Sequence, residues 1–593
     1  MVKLLFATCG LLLALGPGNV WGANPKLSPD LQSVDPKSNV RVIVQYAPGS
    51  SSLGVVGSVL NDVAPVTNIL NLGGVVNLVS TTLNAVVCTL PAPVLQLLAI
   101  DPNVSYISPD RKLAARLDYT SAAVNVRAAW SAKLTGTGVG IAIVDSGITA
   151  TEDLRGLGLL PRIVYTEDFV GGTGTDQYGH GTHVAGIAAA NGMASQCLGC
   201  TRSLVGMAPN AALINLRVLD GNGSGSDSGM IAAIEEAIQL KKTYNIRVMN
   251  LSLGRPIYES YKLDPLCRIV EAAWKAGIVV VAAAGNDGRD DSFGNDGYGT
   301  IESPGNDPYV ITVGAMKAMG TYVRTDDLIA SYSSKGPTAV DHIVKPDIVA
   351  PGNHVVSLLS PGSTLASDPA NQVPLSYYQS TASNSPSNQY LMLNGTSMAT
   401  PVVSGVVADM LQGQPDLTPD QVKARLMKTA YKTFPATSTA VDPVTGQIFV
   451  SQYDILTIGA GYLDVAAALA NHDIATGTAM SPIASYDSTS GNVYLNYDPS
   501  STWDDTAVYA GRSVGGTKAV WGTTTVWGTS VVQPDKAVWG TKAIWGTSTL
   551  AGFDSIWATK SVWGTSTTTA SKSVWGTDSS TSDSDTAFTA TPR

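Results

Sequence analysis

The sequence has little charge and no basic excess. Charged residues make up only 14 % of the 593 residues, and 46 Asp and Glu outnumber 36 Lys and Arg, which gives a formal net charge of −10. A protein that binds nucleic acid needs a basic patch to meet the phosphates. The composition therefore argues against a nucleic-acid partner, but it does not select one function among the remaining classes.

Long apolar runs are also missing. A helix that spans a bilayer needs roughly 18 consecutive apolar residues, and no stretch after the N-terminus reaches that length. The N-terminus has a basic start at Lys3, a short apolar run from Leu4 to Leu15, and small residues at Gly22 and Ala23. This layout predicts a secretory signal peptide over residues 1–23, with a buried N-terminal helix as the alternative. We therefore expect a secreted, extracellular protein that is soluble or held at the cell surface by other means.

Cysteine is scarce, with five residues in the chain. Cys9 falls in the predicted signal peptide. Cys197 and Cys200 form a C-x-x-C pair, which in a secreted chain predicts a small loop-closing disulfide. A zinc site would need two further ligands, and none lie nearby. Cys88 and Cys267 are expected to be unpaired buried thiols, with a bridge between them as the alternative.

Length and texture divide the chain into several parts. The apolar share of 44 % is enough for two or more domains with cores of their own. Residues 40–115 alternate strand-like and helix-like segments, with a short helix expected over Gly54 to Val63, and predict a small α+β module. Residues 118–470 alternate apolar runs with glycine-rich turns and helices. That pattern predicts an α/β fold in which helices cover both faces of a parallel sheet.

Three motifs in residues 118–470 each carry one reactive side chain. They are the apolar strand IAIVDSG with Asp145, the glycine turn GHGTHVAG with His180, and the helix start NGTSMATP with Ser397. A serine hydroxyl becomes a good nucleophile when an imidazole accepts its proton, and a carboxylate fixes the tautomer of that imidazole. Asp145 or Ser397 alone could simply cap a turn or a helix. The three together predict nucleophilic catalysis.

A fourth motif adds a hydrogen-bond donor. The apolar run VVVAAAGN ends in Asn286, whose side-chain N–H can point at the oxyanion of a tetrahedral intermediate. Ser397 at the start of a helix also lies close to free N–H groups and to the positive end of the helix dipole. Both features favour a developing negative charge on an attacked carbonyl group.

These four motifs, in the chain order Asp, His, Ser, resemble those of the subtilisin-like serine peptidases, which are the subtilases or peptidase family S8. The resemblance covers residues 118–470. It implies one role for each side chain: Asp145 orients the imidazole, His180 is the general base, Ser397 is the nucleophile, and Asn286 is the oxyanion-hole donor.

The resemblance also implies a cleft that binds an extended peptide by adding it as a strand. The segment LSLG resembles the strand that lines the substrate, and the segment GSG resembles the opposite strand. The substrate-binding residues expected on this basis are Ser252, Leu253, Gly254, Gly223, Ser224 and Gly225.

Two further side chains have open interpretations. Glu302 lies in the segment IESPG, which resembles part of the family's main specificity pocket. An acidic group there could favour basic substrate side chains, and the alternative is that it faces solvent. His183 follows His180 by three residues, but an HxxH pair without a following acidic ligand favours a packed histidine over a metal ligand.

The resemblance also covers maturation and cofactors. The module at 40–115 is similar to the family's ferredoxin-like inhibitory propeptide, which implies an intramolecular chaperone and inhibitor that is cleaved off near residues 111–118. No cofactor is required for the implied chemistry. The calcium site that many relatives have before GMAP is not carried over, because a disulfide between Cys197 and Cys200 can close the loop. A structural calcium ion could still bind the oxygen-rich loop Asp287 to Asp296, and metal ligands remain unassigned.

Residues 475–593 form a low-complexity tail with an aromatic repeat. The aromatic residues are alternately 6 and 12 positions apart, so that three hexads make a period of 18. Such a period predicts short stacked strands with Val and Trp on opposite sides. An outward row of tryptophans would contact glycans, the cell wall or another protein. The alternative is a partly disordered Thr- and Ser-rich tail.

The sequence thus predicts a secreted serine endopeptidase that hydrolyses protein or peptide substrates through an acyl-enzyme on Ser397. Its own propeptide would be its inhibitor. The alternative function is a surface adhesion or binding protein in which the C-terminal repeat is the working part. The complete set of four reactive groups disfavours that alternative.

Overall fold

The fold is described from a computed structural model that covers residues 24–500 and 508–509 with interruptions. All tryptophans of the hexad repeat, the whole of the predicted signal peptide, and most of the predicted processing segment lie outside the described residues. No helix in the described part of the chain is long and apolar enough to cross a membrane. The residues left undescribed are 1–23, 25, 29–30, 32–33, 48–54, 57–58, 61–63, 81–83, 110–117, 157–159, 198, 293–294, 381–383, 443–444, 488–491, 499, 501–507 and 510–593.

The chain divides into two compact units between residues 113 and 114. In the first unit, four antiparallel strands form one sheet in the order β4-β5-β1-β6. Val42, Val44 and Tyr46 alternate along β1 and are buried, because one face of the sheet covers the core. The elements are β1 (Asn39–Tyr46), β2 (Val55–Val56), β3 (Val59–Leu60), α1 (Ala64–Asn71), β4 (Val75–Ser80), β5 (Ala85–Pro91), α2 (Val94–Ala99) and β6 (Val104–Pro109).

The predicted helix over Gly54 to Val63 is wrong. This stretch contains the two short paired strands β2 and β3, and the helix α1 begins only at Ala64. The segment is rich in valine, whose branched side chain favours an extended backbone. Pro65 then suits the first turn of a helix, because its fixed φ and missing N–H cost nothing there.

The second unit contains the predicted parallel sheet between helices, which is confirmed. Its strand order is β13-β12-β11-β10-β7-β9-β8, with β14 also paired to β12. All pairs are parallel except that of β12 with β13. Every residue of β7 and β11 is buried, since helices cover both faces of the sheet. The strands are β7 (Gly140–Asp145), β8 (Ile163–Asp168), β9 (Ala212–Arg217), β10 (Ile246–Leu251), β11 (Val279–Ala283), β12 (Ile311–Lys317), β13 (Leu328–Ile329) and β14 (Ile348–Asn353).

Two pairs of helices pack on this sheet. Helices α5 and α8 pack against each other, and α8 also lies on β10, β11, β12 and β14. Helices α6 and α7 form the other pair, which contacts β7, β9, β10 and β11. All ten residues of α5 are buried, including the polar His180, Thr182 and His183 of its first turn. The helices are α3 (Asp118–Ala123), α4 (Arg127–Ser131), α5 (His180–Ala189), α6 (Asp227–Tyr244), α7 (Pro265–Lys275), α8 (Thr396–Gly413), α9 (Pro419–Thr429), α10 (Ile455–Ile458) and α11 (Val465–Ala470).

The packed core of the second unit includes residues beyond 470, the predicted end of the α/β fold. Ala484, Val508 and Tyr509 are buried in one cluster with Tyr298 and Leu456. Low-complexity composition hid this extension, although its apolar residues pair in the hairpin of β20 and β21. The outlying strands are β15 (Val355–Leu358), β16 (Gln372–Pro374), β17 (Pro386–Leu393), β18 (Thr437–Val441), β19 (Ile448–Gln452), β20 (Ile483–Asp487) and β21 (Asn492–Asn496).

Candidate active site

The reactive side chains lie at the carboxyl edge of the parallel sheet. Strands β7, β10 and β11 run parallel to one another as neighbours, so their last residues reach the same edge. Asp145 ends β7, Ser252 follows β10 directly, and Asn286 comes shortly after β11. The sheet topology therefore brings together three residues that are far apart in the sequence.

Asp145 and His180 form a fully buried hydrogen-bonded pair. The distance between His180 Nδ1 and Asp145 Oδ1 is 2.8 Å, and both side chains are 0 % exposed. The same carboxylate oxygen accepts the backbone N–H of Ser146 at 2.7 Å. A carboxylate beside Nδ1 holds the proton on that nitrogen, so Nε2 is left as the basic nitrogen of the neutral ring.

Charge around His180 outweighs the effect of its burial. Burial lowers the pKa of His180, but the charge and hydrogen bond of Asp145 and the charge of Asp176 raise it, and the net pKa lies above the ordinary value. An imidazole with a raised pKa is a stronger proton acceptor. The site therefore suits His180 to take a proton from a neighbouring group.

Asp176 is a second buried carboxylate that holds the start of α5. Its Oδ1 accepts the Ser146 hydroxyl at 2.8 Å and the Gly179 N–H at 2.6 Å, and its Oδ2 accepts the Thr182 N–H at 2.8 Å. The Ser146 hydroxyl in turn accepts the Gly181 N–H at 2.9 Å. Burial raises the pKa of Asp176, and these donors only partly offset that effect. Sequence reasoning missed Asp176, because one acidic residue in a polar turn before GHGTH has no distinctive pattern.

Asn286 is hydrogen-bonded to the backbone at the start of α8, directly beside Ser397. The Thr396 N–H donates to Asn286 Oδ1 at 2.9 Å, and the Ser252 hydroxyl donates to the Ser397 carbonyl at 2.8 Å. Gly395 precedes the helix with φ 149°, a backbone conformation that favours glycine. Since Oδ1 and Nδ2 lie on opposite sides of an amide, fixing Oδ1 of Asn286 leaves its NH₂ group directed away from Thr396.

His180 and Ser397 lie at the starts of two helices that pack against each other, α5 and α8. His180 Nε2 is buried and has no hydrogen-bond partner among the described residues, Ser397 included. Ser397 itself is 2 % exposed. Hydrogen bonds between catalytic groups often form fully only when substrate binds. The structure thus brings Asp145 to His180 and Asn286 to the Ser397 helix, and leaves the basic nitrogen of His180 open.

The expected substrate-binding residues lie on two different segments. Ser252, Leu253 and Gly254 follow β10 and are buried. Ser224 and Gly225 are exposed, in a loop that a bridge between Leu219 and Gly225 closes. Gly223, the sixth expected substrate-binding residue, has φ 78°, and a methyl group added there would lie 2.7 Å from the ring of Tyr178. Both the backbone conformation and the space therefore favour glycine at this position.

The two side chains with open interpretations, His183 and Glu302, are both buried. His183 is buried, its Nε2 lies 3.1 Å from the Val355 carbonyl, and burial followed by the charge of His180 lowers its pKa to about 3. The packed-histidine interpretation is therefore confirmed. Glu302 is only 3 % exposed, so the alternative that it faces solvent is wrong.

The cysteine predictions are confirmed, and the metal prediction stays open. Cys197 and Cys200 form a disulfide, while Cys88 and Cys267 are free and buried. In the part of the chain that the structure describes, no three His, Cys, Asp or Glu side chains gather as they would around a metal ion. The loop Asp287 to Asp296 stays a candidate for a structural calcium ion, and no metal ligand is assigned.

Comparisons with known proteins place most of the second unit in one family. Residues 136–449 match the model of the Subtilase family, Peptidase_S8. Serine protease AprX of Bacillus subtilis (strain 168) is 39 % identical over 346 residues, which are 57 % of this chain and 71 % of that protein. Subtilisin E of the same strain is 34 % identical over 365 residues, 60 % of this chain and 78 % of its own length. Subtilisin DY of Bacillus licheniformis is 36 % identical over 298 residues, 50 % of this chain and 84 % of its own length.

Proposed function

This chain belongs to the subtilase family and is a serine endopeptidase, and from that premise we propose that Ser397 is its nucleophile, His180 its general base and Asp145 the group that orients His180. One observation carries the assignment: the 2.8 Å hydrogen bond between the fully buried Asp145 and His180. In this bond Nδ1–H donates to the Asp145 carboxylate, which keeps the ring proton on Nδ1 and leaves Nε2 free to accept the Ser397 proton.

The proposed reaction proceeds in two halves. Ser397 Oγ attacks the carbonyl carbon of the scissile peptide bond while His180 Nε2 takes the hydroxyl proton. The carbonyl oxygen becomes an oxyanion that accepts hydrogen bonds from Asn286 Nδ2 and from the N–H groups at the start of α8. His180 then returns the proton to the leaving amine, and an acyl-enzyme remains on Ser397. Water, activated by the same imidazole, hydrolyses that ester.

The imidazolium that forms in both halves is balanced by the Asp145 carboxylate. Both groups are buried, so their attraction is weakly screened. Asp176 adds a second negative charge nearby, and it fixes the helix turn that carries His180. The chain's own residues supply every proton movement, and the chemistry requires no cofactor.

The substrate is proposed to lie as an extended strand in a cleft between two segments. Ser252 to Gly254 would form one side, and Gly223 to Gly225 the other. The exposed Ser224 and Gly225 support this assignment, since their backbone is accessible to a peptide. Protein and peptide substrates are bound mainly through their main chain in such an arrangement.

Residues 40–115 are proposed to be the inhibitory propeptide. Without the short hairpin β2-β3, the elements of the first unit follow the order β1-α1-β4-β5-α2-β6, and the sheet order β4-β5-β1-β6 is that of a ferredoxin-like split βαβ fold. This topology supports an independently folding unit, and the proposal is that this unit assists folding and is then removed. Export through the signal peptide, and attachment to glycans or a cell surface through the tryptophan hexads, are the accompanying proposals from the sequence.

A labelling experiment tests the proposed function. The full chain is expressed as wild type, as Ser397→Ala, and as Ser380→Ala, which removes an exposed serine away from the site. Wild type and Ser380→Ala should react with a fluorophosphonate, hydrolyse casein and lose their N-terminal unit near residues 111–118. Ser397→Ala should do none of these. A wild type that neither labels nor cleaves casein would refute the assignment, and cleavage of the N-terminal unit in Ser397→Ala would refute self-processing.

A further inference from the structure

Glu302 lies directly against the two backbone segments that flank the nucleophile. A methyl group added to Gly254 would lie 2.6 Å from Glu302 Oε2, and one added to Gly285 would lie 2.8 Å from Glu302 Cγ. Gly285 precedes Asn286, and Gly254 comes two residues after Ser252. Because Asn286 and Ser252 are both hydrogen-bonded to the start of α8, the Glu302 side chain lies in a slot next to the reacting atoms.

The slot leaves the carboxyl group of Glu302 incompletely paired. The side chain is 3 % exposed, and Oε1 has no hydrogen-bond partner within the described residues. The neighbouring cation Arg255 is engaged elsewhere, since its guanidinium binds Asp227 and Asp264. Burial, followed by the negative charge of Asp287, raises the pKa of Glu302 well above its ordinary value. A buried polar group without a partner is costly, so a ligand that supplies a donor would be favoured there.

We propose that Glu302 gives the cleft a preference for peptides with lysine or arginine at the residue whose carbonyl carbon is attacked. This proposal rests on the proposed function. When the carbonyl oxygen of the attacked residue points to Asn286, the side chain of that residue leaves beside Gly285 and Gly254. Because these two glycines have no side chain, Glu302 itself lies close to both backbone segments and would meet that side chain. A cationic head would then donate to Oε1 and form a charge-assisted hydrogen bond. An apolar side chain would keep Oε1 unpaired in a more deeply buried place.

The chain's own expected cleavage segment agrees with this preference. Residues 111–118 contain three basic residues, Arg111, Lys112 and Arg116. A peptidase that removes its own N-terminal unit must accept the residue before the cut. With an acidic slot, each of these three positions is a suitable cleavage point.

The test compares matched fluorogenic peptides that differ only at the residue before the scissile bond, which is arginine, lysine or leucine. Full-length wild type should show kcat/KM at least about 10-fold higher for arginine or lysine than for leucine. Glu302→Gln, which keeps shape and removes charge, should lose about 10-fold or more on the basic peptides and stay within about 3-fold on leucine. Glu235→Gln, an exposed residue of α6, should match wild type.

The peptide preference of the wild type can by itself overturn the proposal, so the test stands even if the Glu302→Gln variant fails to fold. Cleavage of leucine peptides as fast as basic ones by the wild type would overturn it, and so would a Glu302→Gln enzyme with an unchanged preference. N-terminal sequencing of the matured protein should find the cut after Arg111, Lys112 or Arg116. A wild type that cleaves no peptide and takes no fluorophosphonate would instead contradict the proposed function.

Discussion

Two buried charged clusters of the second unit differ in how fully their charged groups are paired. At the carboxyl edge of the sheet, His180 Nε2, Asp145 Oδ2 and Glu302 Oε1 are buried and have no hydrogen-bond partner among the described residues. Around Asp347, by contrast, Lys345 and Lys423 both reach the carboxylate, at 2.7 and 3.3 Å. Unpaired buried atoms cost stability, and in the proposed function and substrate preference two of these atoms gain a partner during catalysis: His180 Nε2 accepts the Ser397 proton, and Glu302 Oε1 accepts a cationic substrate group.

The Asp347 cluster shows how a structural charge is satisfied. Lys423 Nζ donates to the Pro308 carbonyl at 2.7 Å and to the Ser481 hydroxyl at 2.8 Å. Burial lowers the pKa of Lys423 to about 7, although Asp347 acts against this, and the two lysines hold the pKa of Asp347 below its ordinary value despite burial. This cluster connects α9, the loop before β12 and the C-terminal extension. Its role is to hold these segments together.

The largest expected effect comes from removing the open imidazole. His180→Ala should lower kcat by roughly 10⁶-fold, the loss known for the histidine of subtilisin itself, because the imidazole is the group proposed to take the Ser397 proton. Its folding should be retained. The measurement is kcat on a peptide substrate together with the thermal midpoint, and a folded variant that keeps more than about one hundredth of the activity would contradict the role of His180 as general base.

The structural cluster should respond in stability rather than in chemistry. Asp347→Asn removes the carboxylate that Lys345 and Lys423 both contact, which should cost about 3–5 kcal/mol of unfolding free energy. Denaturant unfolding measures that loss. The kcat per active site, counted by fluorophosphonate titration, should change little. A large fall in kcat with unchanged stability would show that the two clusters do not have separate roles.

The oxyanion donor should have a smaller effect than the imidazole. Asn286→Ala should lower kcat by about 10²–10³-fold, as found for the same kind of donor in subtilisin, with little change in KM. The reason is that the interaction with the oxyanion exists only in the transition state. A rise in KM of similar size with unchanged kcat would instead assign Asn286 to ground-state binding.

The smallest effect is expected from the second carboxylate. His180 must be neutral to act as a base, so kcat/KM should fall as pH drops through its raised pKa. Asp176→Asn removes one of the charges that raise this pKa, so the acid limb should move to lower pH by less than about one unit. The pH profile of kcat/KM measures the shift. A limb that stays in place, or moves to higher pH, would exclude an electrostatic role for Asp176.

The sequence predicted the parts of the site that have local patterns. Asp145, His180, Ser397 and Asn286 each stand at the end of a strand or the start of a helix in a recognisable motif, and the structure places them there. The hydrogen bond between Asp145 and His180 follows from two short motifs. These assignments depend on residue type and spacing along a short stretch of chain.

What the sequence could not predict depends on contacts between distant segments. Asp347 and Lys423 are charged residues, which are usually exposed, and only the folded chain brings them together. The burial of Glu302 follows from the meeting of three segments, not from its own motif. The C-terminal hairpin was hidden by a composition that resembles a tail, because a few alternating apolar residues are enough to pack two strands.

The most direct test of the account is the pH dependence of fluorophosphonate labelling, with the labelled serine identified by peptide mass mapping. The account predicts that the label is found on Ser397 alone, and that its rate falls at low pH with a single ionisation above the ordinary pKa of an imidazole. Labelling of another serine, or a rate on Ser397 that does not change as His180 becomes protonated, would contradict it.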